Sequence, residues 1–272
     1  MHGCGNDYIY FNCMERELDH PEELSPRLSD RHKGIGGDGV VLICRSAVAD
    51  ARMRMFNLDG SEGKMCGNAI RCVGKYLYDK GIVKKETLTI ETLSGIRTLW
   101  LHLCDGRVSG ATVDMGRAEL RPAHIPVALP GERVVDHPLA VDGREYGITC
   151  VSMGNPHCVV FCDDPDALPL ERLGPQFETH PLFPERVNTE FIEVIDGRTL
   201  KMRVWERGSG ETWACGTGAC AAAVAAALNG YCPKGEDITV KLKGGDLVIR
   251  YTDRGVYMTG DAEVAFEGTV EI

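Results

Sequence analysis

Met65-Cys66-Gly67-Asn68 and Ala214-Cys215-Gly216-Thr217 are the two stretches from which the rest of this 272-residue sequence can be read. Each follows a turn-forming segment, Asp59-Gly60-Ser61-Glu62 in one case and Gly208-Ser209-Gly210-Glu211 in the other, and each opens an apolar run. A shift of 149 positions lays Cys66-Gly67 on Cys215-Gly216, Gly5-Asn6 on Gly154-Asn155, Met53-Arg54 on Met202-Arg203, Glu62 on Glu211 and Gly81 on Gly230. A shift of 150 then lays Leu88-Thr89-Ile90 on Ile238-Thr239-Val240, and Gly110 on Gly260. A register kept over such a distance marks two copies of one module.

Each copy carries the same local signals. Residues 52–57 and 201–206 alternate as strands do. A helix is predicted after each cysteine. In the first copy Ile70, Val73 and Leu77 mark one apolar face, and Gly81 supplies a C-terminal stop. In the second, residues 219–228 are almost all Ala, Val, Cys and Leu. A helix apolar all round is a buried one, and its small side chains predict close packing inside a curled sheet. Short strands follow at 87–93 and 97–103, and again at 238–242 and 246–251. Pro and Gly at 121–131 predict a loop, with a module boundary near 110–116. Residues 263–272 look strand-like and are expected to cross back to the first module. The domains so drawn are 1–112, completed by 263–272, and 113–262; a chain of this length accommodates two cores comfortably.

Composition narrows the function. A formal net charge of −10 argues against nucleic acid, which needs clustered Lys and Arg. No apolar run approaches the roughly 18 residues of a membrane span, and the segment from Met1 to Tyr10 lacks the basic and apolar regions of a secretory signal. Twelve cysteines without such a signal predict a reducing compartment, the cytoplasm, with most of the thiols acting as small core hydrophobes. There is no Cys-x-x-Cys, and the spacings Cys66/Cys72, Cys215/Cys220 and Cys158/Cys162 are not zinc patterns, so no metal is expected. Gly34-Ile35-Gly36-Gly37-Asp38-Gly39 fits G-x-G-x-x-G, but the strand-like Val40-Val41-Leu42-Ile43 follows where a dinucleotide site needs a helix. A tight turn is the better reading.

Two equivalent cysteines suit the inversion of a carbon centre, which requires one group to take a proton from one face and another to deliver one to the opposite face. A free thiol titrates near ~8.5, and a helix N-terminus is expected to draw it toward neutrality. The same helix starts offer unpaired N–H groups for an α-carboxylate and for charge developing on the carbon. A lone cysteine there is more often structural; the matched pair reverses that preference. Asn68 and Thr217 are expected to cap the helices. Asn6 and Asn155 match across the repeat, as do Asn57 and Glu206; with Asn188 and Arg207 they favour a zwitterionic small molecule. His157 either tunes a thiol or caps a loop. Rival readings are a racemase for another amino acid such as proline, a thiol redox protein, and an inactive binding scaffold. The Glu206-Arg207 pair favours a substrate with a second charged end, and retention of both cysteines disfavours the scaffold.

At His2-Gly3-Cys4-Gly5-Asn6-Asp7, Asp59-Gly60-Ser61-Glu62, Met65-Cys66-Gly67-Asn68, Gly154-Asn155-Pro156-His157, Trp205-Glu206-Arg207-Gly208 and Ala214-Cys215-Gly216-Thr217-Gly218 the sequence resembles the diaminopimelate epimerases, over essentially its whole length. Proline racemases and phenazine-biosynthesis isomerases share that general architecture, but proline racemase-like proteins typically carry His where Asn68 stands. The resemblance implies an α/β (α+β) fold of two pseudo-symmetric domains, each a curled, mostly antiparallel sheet around a central helix. It implies interconversion of LL- and meso-diaminopimelate in lysine and peptidoglycan precursor synthesis, with no pyridoxal phosphate or other cofactor and no metal, by a homodimer. Cys215 would accept the proton of the LL substrate and Cys66 donate one. Gly67, Asn68, Gly216 and Thr217 would bind the reacting carboxylate, and Asn6, Asn57, Asn155, Asn188, Glu206 and Arg207 the rest of the molecule. His157 and Glu206 would tune the thiols. Two departures stand out: relatives usually have strand-forming residues ahead of the Met-His-Gly motif, and many have Gln where this chain has Gly39.

Overall fold

The computed structural model describes residues 1–272. Two compact units divide the chain, Met1–Asp114 with Thr259–Ile272, and Met115–Met258.

The first unit holds β1 (His2–Gly3), β2 (Asn6–Asp7), β3 (Ile9–Cys13), α1 (Pro21–Ser29), β4 (Gly39–Cys44), β5 (Ala51–Asn57), β6 (Glu62–Gly63), α2 (Gly67–Asp79), β7 (Thr87–Thr92), β8 (Gly95–Cys104) and β9 (Arg107–Gly116), whose last two residues fall in the second unit. Its sheet runs β3-β4-β5-β7-β8-β9. β3/β4 and β5/β7 are parallel, while β4/β5, β7/β8 and β8/β9 are antiparallel. Strand β4 is buried along its full length, as its unbroken apolar run requires. Ile70, Val73 and Leu77 of α2 are fully buried, so the predicted face is the one that packs. α2 ends at Asp79 with Lys80 as C-cap, and Gly81 follows at φ 68°.

The second unit holds β10 (His137–Val141), β11 (Arg144–Ser152), β12 (Pro156–Phe161), α3 (Leu170–Glu178), β13 (Asn188–Asp196), β14 (Thr199–Glu206), β15 (Gly210–Glu211), α4 (Gly216–Leu228), β16 (Asp237–Leu242), β17 (Gly245–Tyr251) and β18 (Val256–Asp261), which passes into the first unit at Thr259. Its pairings repeat the plan: β12/β13 and β14/β16 are parallel, β13/β14 and β16/β17 antiparallel, with β10/β11/β12 an antiparallel addition. Helix α4 is buried on every side, from Gly216 to Ala226 with only Thr217 partly open, and it packs on β11 through β14, β16 and β17.

Laid on one another with the 149-residue shift, α1 falls on α3 and α2 on α4 with identical ends, and with the 150-residue shift β7 falls on β16 in the same way. The ion pair Arg54–Glu62 (2.9 Å) recurs as Arg203–Glu211 (2.9 Å). Helices α1 and α3 were not visible in the sequence pattern, because each is short and carries an internal proline, Pro26 and Pro175, that removes a helical N–H.

Residues 263–272 do not form the expected strand. Glu263 makes a single bridge with His2, and Val264, Phe266 and Ile272 are exposed, so the alternation there pairs with no ladder. The strand that serves the first unit is the end of β18, where Thr259 meets Thr112 at 2.7 Å and the Asp261 carbonyl accepts from Arg71 at 2.9 Å. The glycine-rich 34–39 segment is a turn, with Ile35 and Gly36 both donating to the Leu28 carbonyl before β4 begins.

Candidate active site

Cys66 is the N-cap residue of α2, in extended conformation, and its sulfur accepts from the Ala69 N–H at 3.5 Å. Its thiol donates to Asn6 Oδ1 at 3.4 Å. The same oxygen accepts from Asn68 Nδ2 at 3.2 Å, and Asn6 Nδ2 donates to Asp38 Oδ2 at 2.7 Å. Behind this chain lies Arg71, with no exposed surface, donating to Asn68 Oδ1 (3.1 Å), the Gly67 carbonyl (3.0 Å) and the Asp261 carbonyl (2.9 Å). A guanidinium only donates and a carboxylate only accepts. Arg71 and Asp38 therefore fix both amides from opposite ends, and Asn6 is left with an oxygen facing the sulfur. Arg31, bonded to Asp7 (2.6 Å) and to Asp38 (3.0 Å), supports the ionised form of Asp38 against the upward push of burial.

Cys215 is the N-cap of α4 and makes no side-chain cap bond. It is buried. Burial first, and then the carboxylates of Glu206 and Glu190, push its thiol well above the ordinary range, against the lowering contributions of Thr217 and the Gly218 N–H. The expectation that the helix start brings this thiol toward neutrality is thus reversed: desolvation and two acidic neighbours outweigh the dipole. Glu206, at the end of β14, accepts from Thr212 Oγ1 at 2.5 Å and from the Cys215 thiol, while burial raises its own carboxyl above the usual value. Thr217 Oγ1 lies 3.6 Å from the sulfur and accepts from Asn155 Nδ2 at 3.3 Å. Asn155 Oδ1 faces His157 Nε2 at 3.0 Å, and His157 Nδ1 faces Glu190 Oε1 at 2.7 Å.

The predicted residues sort themselves on this geometry. Asn6 and Asn68 surround Cys66; Asn155, Glu206 and Thr217 surround Cys215. Gly67 and Gly216 are the first residues of the two helices, buried, with Asn68 and Thr217 inside the first turn rather than capping it. Asn57 is occupied with its own turn, donating to Ser61 Oγ at 3.0 Å. Asn188 is buried, donating to the Pro156 carbonyl (2.8 Å) and accepting from the Arg207 N–H (3.0 Å), so it places the backbone of Arg207. Arg207 is exposed, with one guanidinium N–H on the Glu185 carbonyl. His157 lies in β12, fully buried, and reaches the sulfur only through Asn155 and Thr217. Gly39 has no room for a side chain: a Cβ there would strike the Phe56 carbonyl and the Tyr8 ring, so a Gln at this position does not fit this backbone. Sequence reasoning missed Glu190, Arg71 and Asp38. Their signal was a charge in one copy where the other has Val41, Cys220 and Val187. No group of three or more His, Cys, Asp or Glu side chains has the geometry to hold a metal ion. No helix is long and apolar enough to cross a membrane.

Duplicated modules, each with a helix that opens on a cysteine, define the fold class. Solved structures agree: a hydroxyproline epimerase from Agrobacterium vitis (TM-score 0.67, 15% identity, 96% of this chain and 87% of that one) and a PhzF-family phenazine biosynthesis protein from Bacillus anthracis (TM-score 0.67, 18% identity, 96% and 91%) share the fold. Sequence relatives are much nearer. Diaminopimelate epimerases of Acetivibrio thermocellus (55% identical, 100% of this chain and 97% of that protein) and Methanococcus maripaludis (53%, 100% and 98%) align throughout. The diaminopimelate epimerase family model matches residues 1–121 and 149–265. The chain belongs to the diaminopimelate epimerase family, and is an isomerase.

Proposed function

We propose that this chain interconverts LL- and meso-diaminopimelate, without pyridoxal phosphate, by taking the α-proton with the sulfur of one cysteine and delivering another proton to the opposite face from the second, the pair being Cys66 and Cys215. The observation that carries this reading is that equivalent helices, α2 and α4, both begin on a cysteine flanked by a glycine whose helix start offers unpaired N–H groups. Cys215 rests as a thiol against Glu206, a carboxyl raised toward the strength a proton acceptor needs. Transfer of the thiol proton to Glu206 leaves a thiolate that takes the α-proton of the LL substrate. The Cys66 thiol delivers its proton to the opposite face and becomes the thiolate, and in the reverse direction the roles exchange. The reading requires both sulfurs to reach one carbon. Gly67, Asn68, Gly216 and Thr217 would hold the reacting carboxylate, and their position in the helix starts supports that role. Asn6, Asn57, Asn155, Asn188, Glu206 and Arg207 would address the rest of the substrate, with Arg207 the cation available to its second carboxylate. Action in the cytoplasm as a homodimer, in lysine and peptidoglycan precursor synthesis, completes the proposal.

The test is incubation with LL-diaminopimelate in deuterated water, followed by NMR. Loss of the α-proton signal with appearance of the meso isomer is expected, and Cys66→Ala and Cys215→Ala should each abolish epimerisation. Exchange with proline but not with diaminopimelate would transfer the chain to the racemase reading, and dependence of function on a disulfide would favour the redox one.

A further inference from the structure

We propose that Glu190 is a positioning residue for Cys215, holding His157, Asn155 and Thr217 in the one hydrogen-bonded arrangement that turns the Thr217 hydroxyl onto the sulfur. The proposal rests on the reading that Cys215 moves the proton.

Glu190 and His157 are both fully buried. Nothing about the fold demands a carboxylate there: with the 149-residue shift its counterpart in β4 is Val41, and the counterpart of His157 is Tyr8. A buried carboxylate is costly unless its oxygens are satisfied, yet Glu190 Oε2 is buried with no hydrogen-bond partner, and Oε1 has His157. Such a half-satisfied carboxyl group is poorly explained by stability alone.

Its effect runs along the chain it anchors. In the arrangement proposed, His157 Nδ1 donates to Glu190 Oε1, 2.7 Å away, and Nε2 donates to Asn155 Oδ1, 3.0 Å away. With its oxygen so engaged, Asn155 presents Nδ2 to Thr217 Oγ1, which fills the acceptor side of that hydroxyl and leaves its proton for Cys215, 3.6 Å away. The carboxylate also shares a corner with the sulfur. A Cβ on Gly218 would stand 2.6 Å from Glu190 Oε1 and 3.2 Å from Cys215 Sγ, so a glycine is needed where the two meet. The titratable groups that face Glu190 are His157 and Cys158 of β12, Glu206 of β14 and Cys215 ahead of α4.

The test is Glu190→Gln, of nearly the same volume, beside Glu190→Asp, which keeps the charge on a shorter arm. In E190Q, kcat should fall about tenfold or more with a smaller change in KM, because Glu190 does not touch the substrate itself and acts on it only through Asn155 and Thr217. The pH profile of kcat/KM should move. Nitrogen-15 NMR of His157 should show both ring nitrogens protonated in the unaltered protein and one bare nitrogen in E190Q, with E190D restoring the first pattern in part. Unaltered kcat and pH profile in E190Q, a loss confined to KM, or a bare His157 nitrogen in the unaltered protein would each overturn the proposal. Should E190Q not fold, E190D and the NMR of the unaltered protein still decide. Activity retained in C215A removes the two-thiol reading and the object of the proposal with it. An inactive C215A together with His157 signals unchanged in E190Q overturns the role of Glu190 alone.

Discussion

Cys66 and Cys215 occupy the same place in two copies of one module, and their surroundings differ in kind. Behind Cys66 stand two amides pinned between Arg71 and Asp38; beside Cys215 stand two carboxylates, one of them paired with an imidazole. The frame that carries them is common, down to the ion pairs Arg54–Glu62 and Arg203–Glu211. Duplication thus supplied a common frame around both cysteines. Divergence of a few buried positions then gave each sulfur its own electrostatic setting, so that two chemically identical groups need not titrate alike.

Substitutions that remove one side's special residue test the contrast most severely. Arg71→Met should cost about 3 kcal/mol or more, since the Gly67 and Asp261 carbonyls and Asn68 Oδ1 lose a buried donor; urea denaturation measures it, and a loss under about 1 kcal/mol would show that Arg71 does not hold the Cys66 side together.

On the other side, Glu206→Gln should lower kcat about 100-fold, the usual weight of a positioned proton acceptor. In the unaltered protein, activity should fall as pH drops through the raised carboxyl of Glu206, on an acid limb above the ~4.3 of a free glutamate, and the limb should vanish in E206Q. The same raised carboxyl favours the fold at low pH, where it is protonated, and that contribution is lost as pH rises through the folded-state value. A limb that survives the substitution belongs to another group.

The shared frame predicts smaller and more nearly equal effects. Arg203→Met should cost about 2 kcal/mol and Arg54→Met about 1 kcal/mol. Arg203 also donates to the Pro165 and Leu168 carbonyls, whereas Arg54 adds the exposed Glu17 and the face of the Phe56 ring. The reverse order in thermal melts would deny the correspondence. Gly81→Ala and Gly230→Ala, at φ 68° and 77° with open space around both, should each lose about 1 kcal/mol, and by matching amounts.

What could be read from the sequence follows the same division. The repeat, the strands around both cysteines, the buried faces of α2 and α4 and the turn before β4 all declare themselves through periodicity and local composition. Helices α1 and α3 do not, since Pro26 and Pro175 break the local signal and tertiary packing supplies what they remove. Asn6, Asn68, Asn155, Thr217 and Glu206 were legible as polar residues recurring near the cysteines. Asn57 and Asn188 were legible as asparagines, but their engagement with the backbone and the nearby turn was not. Glu190 lies 25 positions from Cys215, in a strand that carries several other polar residues, and only its comparison with Val41 makes it conspicuous. The direction of the Cys215 thiol was misjudged for that reason: a helix start is visible in sequence, whereas the carboxylates that converge on it from β13 and β14 are not.

The strand that leaves the second unit at Met258 and joins the first at Thr259 has a bearing on biosynthesis. On the ribosome, residues 115–258 emerge as one uninterrupted stretch that contains their whole core. The earlier-made residues 1–114 must wait for 259–272, including the Asp261 carbonyl that Arg71 requires. The later-made unit can therefore complete its core before the earlier-made one has all of its residues.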